Sequence, residues 1–140
     1  MEESQIEFHS ESVFILENQV KIRQWFEATA KSEGKHIGAL NYIFCDDEYL
    51  IKINVEFLQH ETYTDIITFD YSVGDELISD IYISTERVAE NAKEFGETFD
   101  GELNRVLIHG LLHLCGYKDK TEEEAILMRS KENYYISLQA

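Results

Sequence analysis

Polar and apolar residues alternate in Gln5-Ile6-Glu7-Phe8, a period of two that predicts a short first strand. Over 13–30 the interval lengthens to that of a helix, with Leu16, Val20, Trp25, Phe26 and Ala30 as its apolar positions and Gly34 just past the expected end. Residues 37–44 read as a second strand. Asp46 suits an N-cap and Glu48 a first helical turn, opening a short helix through Leu50, Ile51 and Ile53, after which 54–63 is expected to run as a loop. The stretches 65–71 and 77–83, joined by Ser72-Val73-Gly74-Asp75, read as an antiparallel hairpin. Ser84 caps a helix carrying Arg87, Val88, Ala89 and Ala92 before Gly96. A further helix runs over about 101–115. Thr121-Glu122-Glu123-Glu124 opens the last one as a capping box, with Ile126, Leu127, Met128, Tyr134, Tyr135 and Leu138 behind it. Four strands interrupted by about five helices imply an α+β fold with a mixed sheet in a single domain, 1–140.

The helix over 101–115 is unusual in being apolar nearly all round. Leu103, Val106, Leu107, Ile108, Leu111, Leu112, Leu114 and Cys115 leave one narrow polar stripe holding Glu102, His109 and His113, and a helix of that kind is buried. Positions four apart differ by about 40° around a helix, so the two imidazoles share one side and can converge on one ion. Gly116 suits the left-handed position that ends a helix, and the chain it turns back carries Asp119 toward the rings. The alternative is a pair of core histidines satisfied by hydrogen bonds, since each unpartnered buried polar group costs about 1–3 kcal/mol. Two histidines and one carboxylate leave a fourth position on zinc open, as catalytic sites do. Nickel, cobalt or iron suits nitrogen and oxygen donors nearly as well. Cys115 falls away from the histidines around the helix and reads as a small buried hydrophobe.

Zinc proteases of the His-Glu-x-x-His pattern carry their general base directly after the first histidine. Here that residue is Gly110, which argues against a metallohydrolase of peptides and for direct action of an ion on water or an oxyanion. A phosphodiester fits such a site, because its nonbridging oxygens bind a Lewis acid.

The formal net charge of −16 in 140 residues opposes binding to nucleic acid. Its distribution changes the picture: residues 105–140 hold five basic side chains (Arg105, Lys118, Lys120, Arg129, Lys131) and five acidic ones, so the whole excess lies in 1–104. With Asp119 committed to a divalent ion, the C-terminal region becomes locally positive. No proline, linker or repeat divides the chain, and the separated Cys45 and Cys115 read as thiols rather than a disulfide. The opening residues form no targeting segment and no run of about 18 apolar residues occurs, so a cytoplasmic protein with no membrane partner is expected.

His109-Gly110-Leu111-Leu112-His113-Leu114-Cys115-Gly116-Tyr117-Lys118-Asp119 resembles the signature of the YbeY family, H-G-x-L-H-L-x-G-Y-D-H. Asn54 with Phe57, the run Thr64-Asp65-Ile66-Ile67-Thr68-Phe69, and Asp80-Ile81-Tyr82-Ile83-Ser84 are similar to further family segments, in order, over roughly half the chain. The resemblance implies a single-strand-specific, metal-dependent endoribonuclease of small-subunit ribosomal RNA 3′-end maturation and ribosome quality control. It implies one zinc (or nickel, or another divalent ion) on His109, His113 and Asp119, which would act catalytically through that metal. Its partners would be ribosomal RNA and the ribosome or small-subunit assembly factors, with no DNA substrate. Arg105, Lys118, Lys120, His60 and Thr64 are the candidate RNA contacts. Three departures stand out: Asp119 replaces the family's third histidine, Leu58-Gln59-His60 replaces an arginine-bearing segment, and Tyr63 and Ser79 replace proline and glycine. A carboxylate ligand adds negative charge and weakens the ion as a Lewis acid. These departures keep in play a non-catalytic assembly factor with a structural metal.

Overall fold

Two strand–helix pairs are followed by a hairpin and three helices: β1 (Gln5–Ser10), α1 (Gln19–Ser32), β2 (His36–Cys45), α2 (Asp47–Leu58), β3 (Ile66–Asp70), β4 (Glu76–Ser84), α3 (Thr85–Phe95), α4 (Phe99–Leu114) and α5 (Glu122–Ser137). This computed structural model describes residues 5–12, 14–58 and 64–139. The sheet runs β1-β2-β4-β3, with β1 and β2 parallel, β2 and β4 parallel, and β3 antiparallel to β4. Sheet type, strand number and helix number are those the pattern predicts.

One face of the sheet carries the main core, where Leu40, Tyr42, Phe44, Ile81 and Ile83 meet Phe26 of α1, Val88 of α3, and Leu107, Ile108, Leu111 and Leu112 of α4. The other face carries a smaller cluster, Cys45, Leu50, Ile53 and Ile67, under α2. The second face is less fully covered, so burial along β4 alternates between buried and half-buried positions as far as Ile83.

Helix α4 is the buried helix of the sequence pattern, beginning two residues earlier than expected because Thr98, not Gly101, caps it: Thr98 Oγ1 accepts from the Gly101 amide at 3.0 Å. It lies close on the β3–β4 hairpin. A Cβ on Gly110 would stand 2.8 Å from Ile66 Cδ1 and 3.8 Å from both Ile81 Cγ2 and Thr68 Oγ1. Glycine thus sets the distance between helix and sheet at the position where a zinc protease carries its glutamate.

At the far end, Gly116 adopts φ +108°. Its amide donates to the His113 carbonyl (3.0 Å) and the Tyr117 amide to the Leu112 carbonyl (3.1 Å), the paired bonds of a Schellman ending. Tyr117 is then tied to the rest of the molecule: its hydroxyl donates to Glu33 at 2.7 Å, and Tyr135 donates to the same carboxylate. Trp25 Nε1 completes this brace of α1 against α5 by donating to the Tyr135 carbonyl at 2.8 Å.

Two boundaries differ from the pattern. The helix expected over 13–30 starts only at Gln19, because Phe14 and Leu16 pack inward from an extended segment and Asn18 takes a left-handed conformation, φ 59°; Val13 itself lies outside the described residues. The loop expected to begin at 54 is helix as far as Leu58, since Asn54 follows Leu50 and Ile53 on the buried side of α2. Cys45 is buried and Cys115 half-buried, both free thiols. Among the described residues no helix is long and apolar enough to cross a membrane.

Gly116→Ala places a side chain in a conformation that costs of order 1–3 kcal/mol. The urea midpoint is expected to fall accordingly, and an unchanged midpoint would show that the turn relaxes without this glycine.

Candidate metal centre

His109 and His113 project from adjacent turns of α4 with their rings 4.5 Å apart and nearly perpendicular. Each ring is held through Nδ1. His113 Nδ1 donates to the Tyr117 carbonyl at 2.9 Å, which the Schellman turn has brought back over the helix. His109 Nδ1 donates to Glu132 Oε2 of α5 at 2.6 Å. A carbonyl and a carboxylate can only accept, so both protons sit on Nδ1 and both Nε2 atoms present lone pairs. Those lone pairs face each other at 2.9 Å. Asp119 Oδ2 completes the group, 3.2 Å from His109 Nε2 and 3.5 Å from His113 Nε2.

Three such atoms converging repel one another unless a proton or a metal cation sits among them. Their spacing suits one: donor atoms on a tetrahedral zinc with bonds of about 2.0–2.1 Å lie about 3.3–3.4 Å apart. Among the described residues this trio forms the cluster of histidine, cysteine and carboxylate donors able to hold a metal. Cys115 takes no part; burial pushes its thiol up to about 12, and it packs against the main core.

Glu132 is the functional residue that the pattern did not reveal. It is 4% exposed and takes Arg105 Nη1 at 2.9 Å and Arg129 Nη1 at 3.6 Å as well as the imidazole. Burial raises its carboxyl, but the His109 and Arg105 hydrogen bonds and charges outweigh that and hold it below the usual range. His109 moves the other way: burial lowers it, and Glu132, Asp119 and Asp65 raise it beyond that loss. A carboxylate behind a ligating histidine is a common device for fixing tautomer and basicity. Its only trace in the sequence is a glutamate inside a helix rich in them.

Two cavities meet at the trio, and His109, Asp119, Asp65 and Ile66 line both. The larger, about 790 Å³, adds Asn54, Thr64, Thr68 and Lys120. The smaller, about 380 Å³, opens between α4 and α5 and adds Glu102, Arg105 and Arg129. Of the candidate RNA contacts, Lys120 and Thr64 thus stand beside the centre, Arg105 stands beside it with Nη1 engaged by Glu132, and Lys118 is exposed and lines neither cavity. His60 lies outside the described residues, as do Gln59 and Tyr63. Asp65 carries a carboxyl raised by burial against the opposing charge of His109.

Residues 5–138 match the family described as Endoribonuclease YbeY. The chain belongs to this family. It is 58% identical over 138 residues to the Endoribonuclease YbeY of Christiangramia forsetii, covering 99% of this chain and 96% of that one. The Endoribonuclease YbeY of Flavobacterium johnsoniae is 56% identical over 133 residues, covering 95% and 96%. The solution structure of TM1509 from Thermotoga maritima has the same fold, with a TM-score of 0.63 at 29% identity over 94% of this chain and 87% of that one.

Glu132→Gln keeps the shape of the carboxylate but halves its hold on His109 Nδ1. Zinc affinity, measured by competition with a chelating dye, is expected to drop 10- to 100-fold; equal affinity would detach Glu132 from the centre. Because His109 is raised, zinc uptake near neutral pH should expel a proton, so that affinity increases as pH rises through the His109 transition. Calorimetry in buffers of different ionisation enthalpy reads that proton directly.

Proposed function

We propose that the protein is a metal-dependent endoribonuclease of single-stranded RNA, active in small-subunit ribosomal RNA 3′-end maturation and quality control in the cytoplasm. The whole chain, 1–140, acts as one metallo-endoribonuclease domain. The observation that carries this reading is the convergence of three acceptor lone pairs, His109 Nε2, His113 Nε2 and Asp119 Oδ2, at the junction of two cavities in a chain of this family.

Zinc, or nickel or another divalent transition ion, is the cofactor that two imidazoles and a carboxylate suit. Bound there, it supplies a Lewis acid for a nonbridging phosphate oxygen and for the attacking water. Lys120 and Thr64, on the wall of the larger cavity, steady the phosphate chain as it crosses the centre, and Arg105 and Lys118 extend the positive side. Asp65 lines both cavities with a carboxyl that burial biases toward the protonated form, so it can take up a proton at its carboxylate as water attacks. Glu132, pinned by Arg105, keeps His109 aimed through the cycle.

With a net charge of −16, the isolated protein binds bare RNA weakly and with strong salt dependence. Ribosomal or assembly-factor partners supply the missing affinity. The peptide-hydrolase reading loses ground to Gly110, which stands where such enzymes carry their glutamate.

The test is cleavage of single-stranded and duplex RNA by the wild type and His113→Ala, with and without chelator. Cleavage of the single strand by the wild type alone, lost on chelation, is expected, while the variant retains a cooperative melt. A variant that instead loses its melt would point to a structural metal and a non-catalytic assembly factor. Asp119→His is expected to keep or strengthen zinc binding, read by the same dye competition.

A further inference from the structure

Helix α4 also buries an acid, Glu102, nearly two turns before His109. Glu102 is 6% exposed, yet its carboxylate makes no hydrogen bond and no ion pair among the described residues. Its oxygens open on a cavity instead, and what enters that cavity is left to pair them. The group lines the cavity of about 380 Å³ between α4, α5 and the start of β3. Arg105 and Arg129, the nearest cations, are turned to Glu132 instead. Burial and the neighbouring Asp65 charge raise the Glu102 carboxyl, against the two arginines.

The rest of the cavity says what would complete it. Its lining is mixed, with Ile66, Val106, Ala125 and Met128 set among charged side chains, and it is shared with the metal trio through His109 and Asp119. A flat, mostly apolar group with hydrogen-bond donors at one edge fits such a space, and a phosphate does not, because four carboxylates surround it. A further metal ion is disfavoured too. Among the described residues, the donors close enough to share an ion are those of His109, His113 and Asp119, and Glu102 is not among them.

We propose that this cavity is a nucleobase subsite beside the scissile phosphate and that the Glu102 carboxylate selects guanine there. The proposal rests on the nuclease reading for its place in the reaction. Guanine offers N1–H and N2–H side by side, which match the two oxygens of one carboxylate. Adenine and cytosine present one donor next to an acceptor, and uracil presents a single donor between two carbonyls, so each leaves a carboxylate oxygen unpaired or facing another acceptor. Single-stranded RNA is read in this manner, with an unstacked base gripped by its Watson–Crick edge.

Two measurements on the zinc-loaded protein test it, with wild type and Glu102→Gln compared and both shown to hold zinc equally and to melt cooperatively. The first is titration with guanosine, inosine, adenosine, cytidine and uridine 5′-monophosphates. Guanosine monophosphate is expected to bind about tenfold tighter than inosine monophosphate, which lacks the N2 donor, and Glu102→Gln should remove that gap. The second is cleavage of otherwise identical oligoribonucleotides with guanosine or inosine next to the cut; wild type should prefer guanosine by a similar factor and the variant should not. Equal guanosine and inosine curves in the wild type would overturn the proposal. So would a preference that survives Glu102→Gln, or a second equivalent of magnesium that binds only when Glu102 is intact. If the wild type cleaved no RNA, the nuclease reading would fall, while the nucleotide titration would still decide for or against the base subsite.

Discussion

Helix α4 must meet two demands that conflict. It is the central helix of the main core, with Leu107, Ile108, Leu111 and Leu112 fully buried, and it also carries two imidazoles whose four nitrogens need partners. Burial favours apolar side chains and penalises each polar atom left unpaired. The conflict is resolved by giving each ring one outward bond from Nδ1, to Glu132 and to the Tyr117 carbonyl, and leaving both Nε2 atoms to face Asp119. The position of α5, the Schellman turn and the return of 117–119 all serve that arrangement.

The neighbouring elements gain meaning from it. α5 looks like a solvent helix, yet it supplies Glu132, and its capping box at Thr121 and Glu124 fixes where it starts just after the loop that bears Asp119. Glu33, at the end of α1, holds Tyr117 and Tyr135 together, so the loop that positions a ligand is braced by the two outer helices. Gly110 sets the approach of α4 to β3, placing Asp65 and Ile66 at the edge of both cavities. Each contact is modest alone; together they hold three donors at the spacing a metal with short bonds demands.

The acidity of the chain also becomes intelligible at the site. The centre is ringed by Asp65, Glu102, Asp119 and Glu132, offset by Arg105 and Arg129 and, in the proposed enzyme, by the metal's charge. Such a site is not a phosphate trap. On the proposed function it depends on the metal for phosphate and leaves its carboxylates for protons and base edges.

How much of this was legible in the residues depends on how local each feature is. The pattern of apolar positions was enough for four strands, five helices, the antiparallel hairpin, the buried character of α4 and the pairing of His109 with His113, because each follows from periodicity or from neighbours within a turn or two. Asp119 was within reach because only a glycine turn separates it from the helix. Glu132 and the open carboxylate of Glu102 were not, since one depends on α5 crossing α4 from 23 residues away and the other on a cavity that three elements enclose. The start of α1 and the length of α2 were likewise decided by packing: Phe14 and Leu16 bury better from an extended segment, and Asn54 completes a buried helical face. Sequence alone determined the candidate donors and the helix that bears two of them. Only the tertiary structure decided which atoms of those residues point inward, because a tautomer is set by its hydrogen-bond partners, and those come from distant parts of the chain.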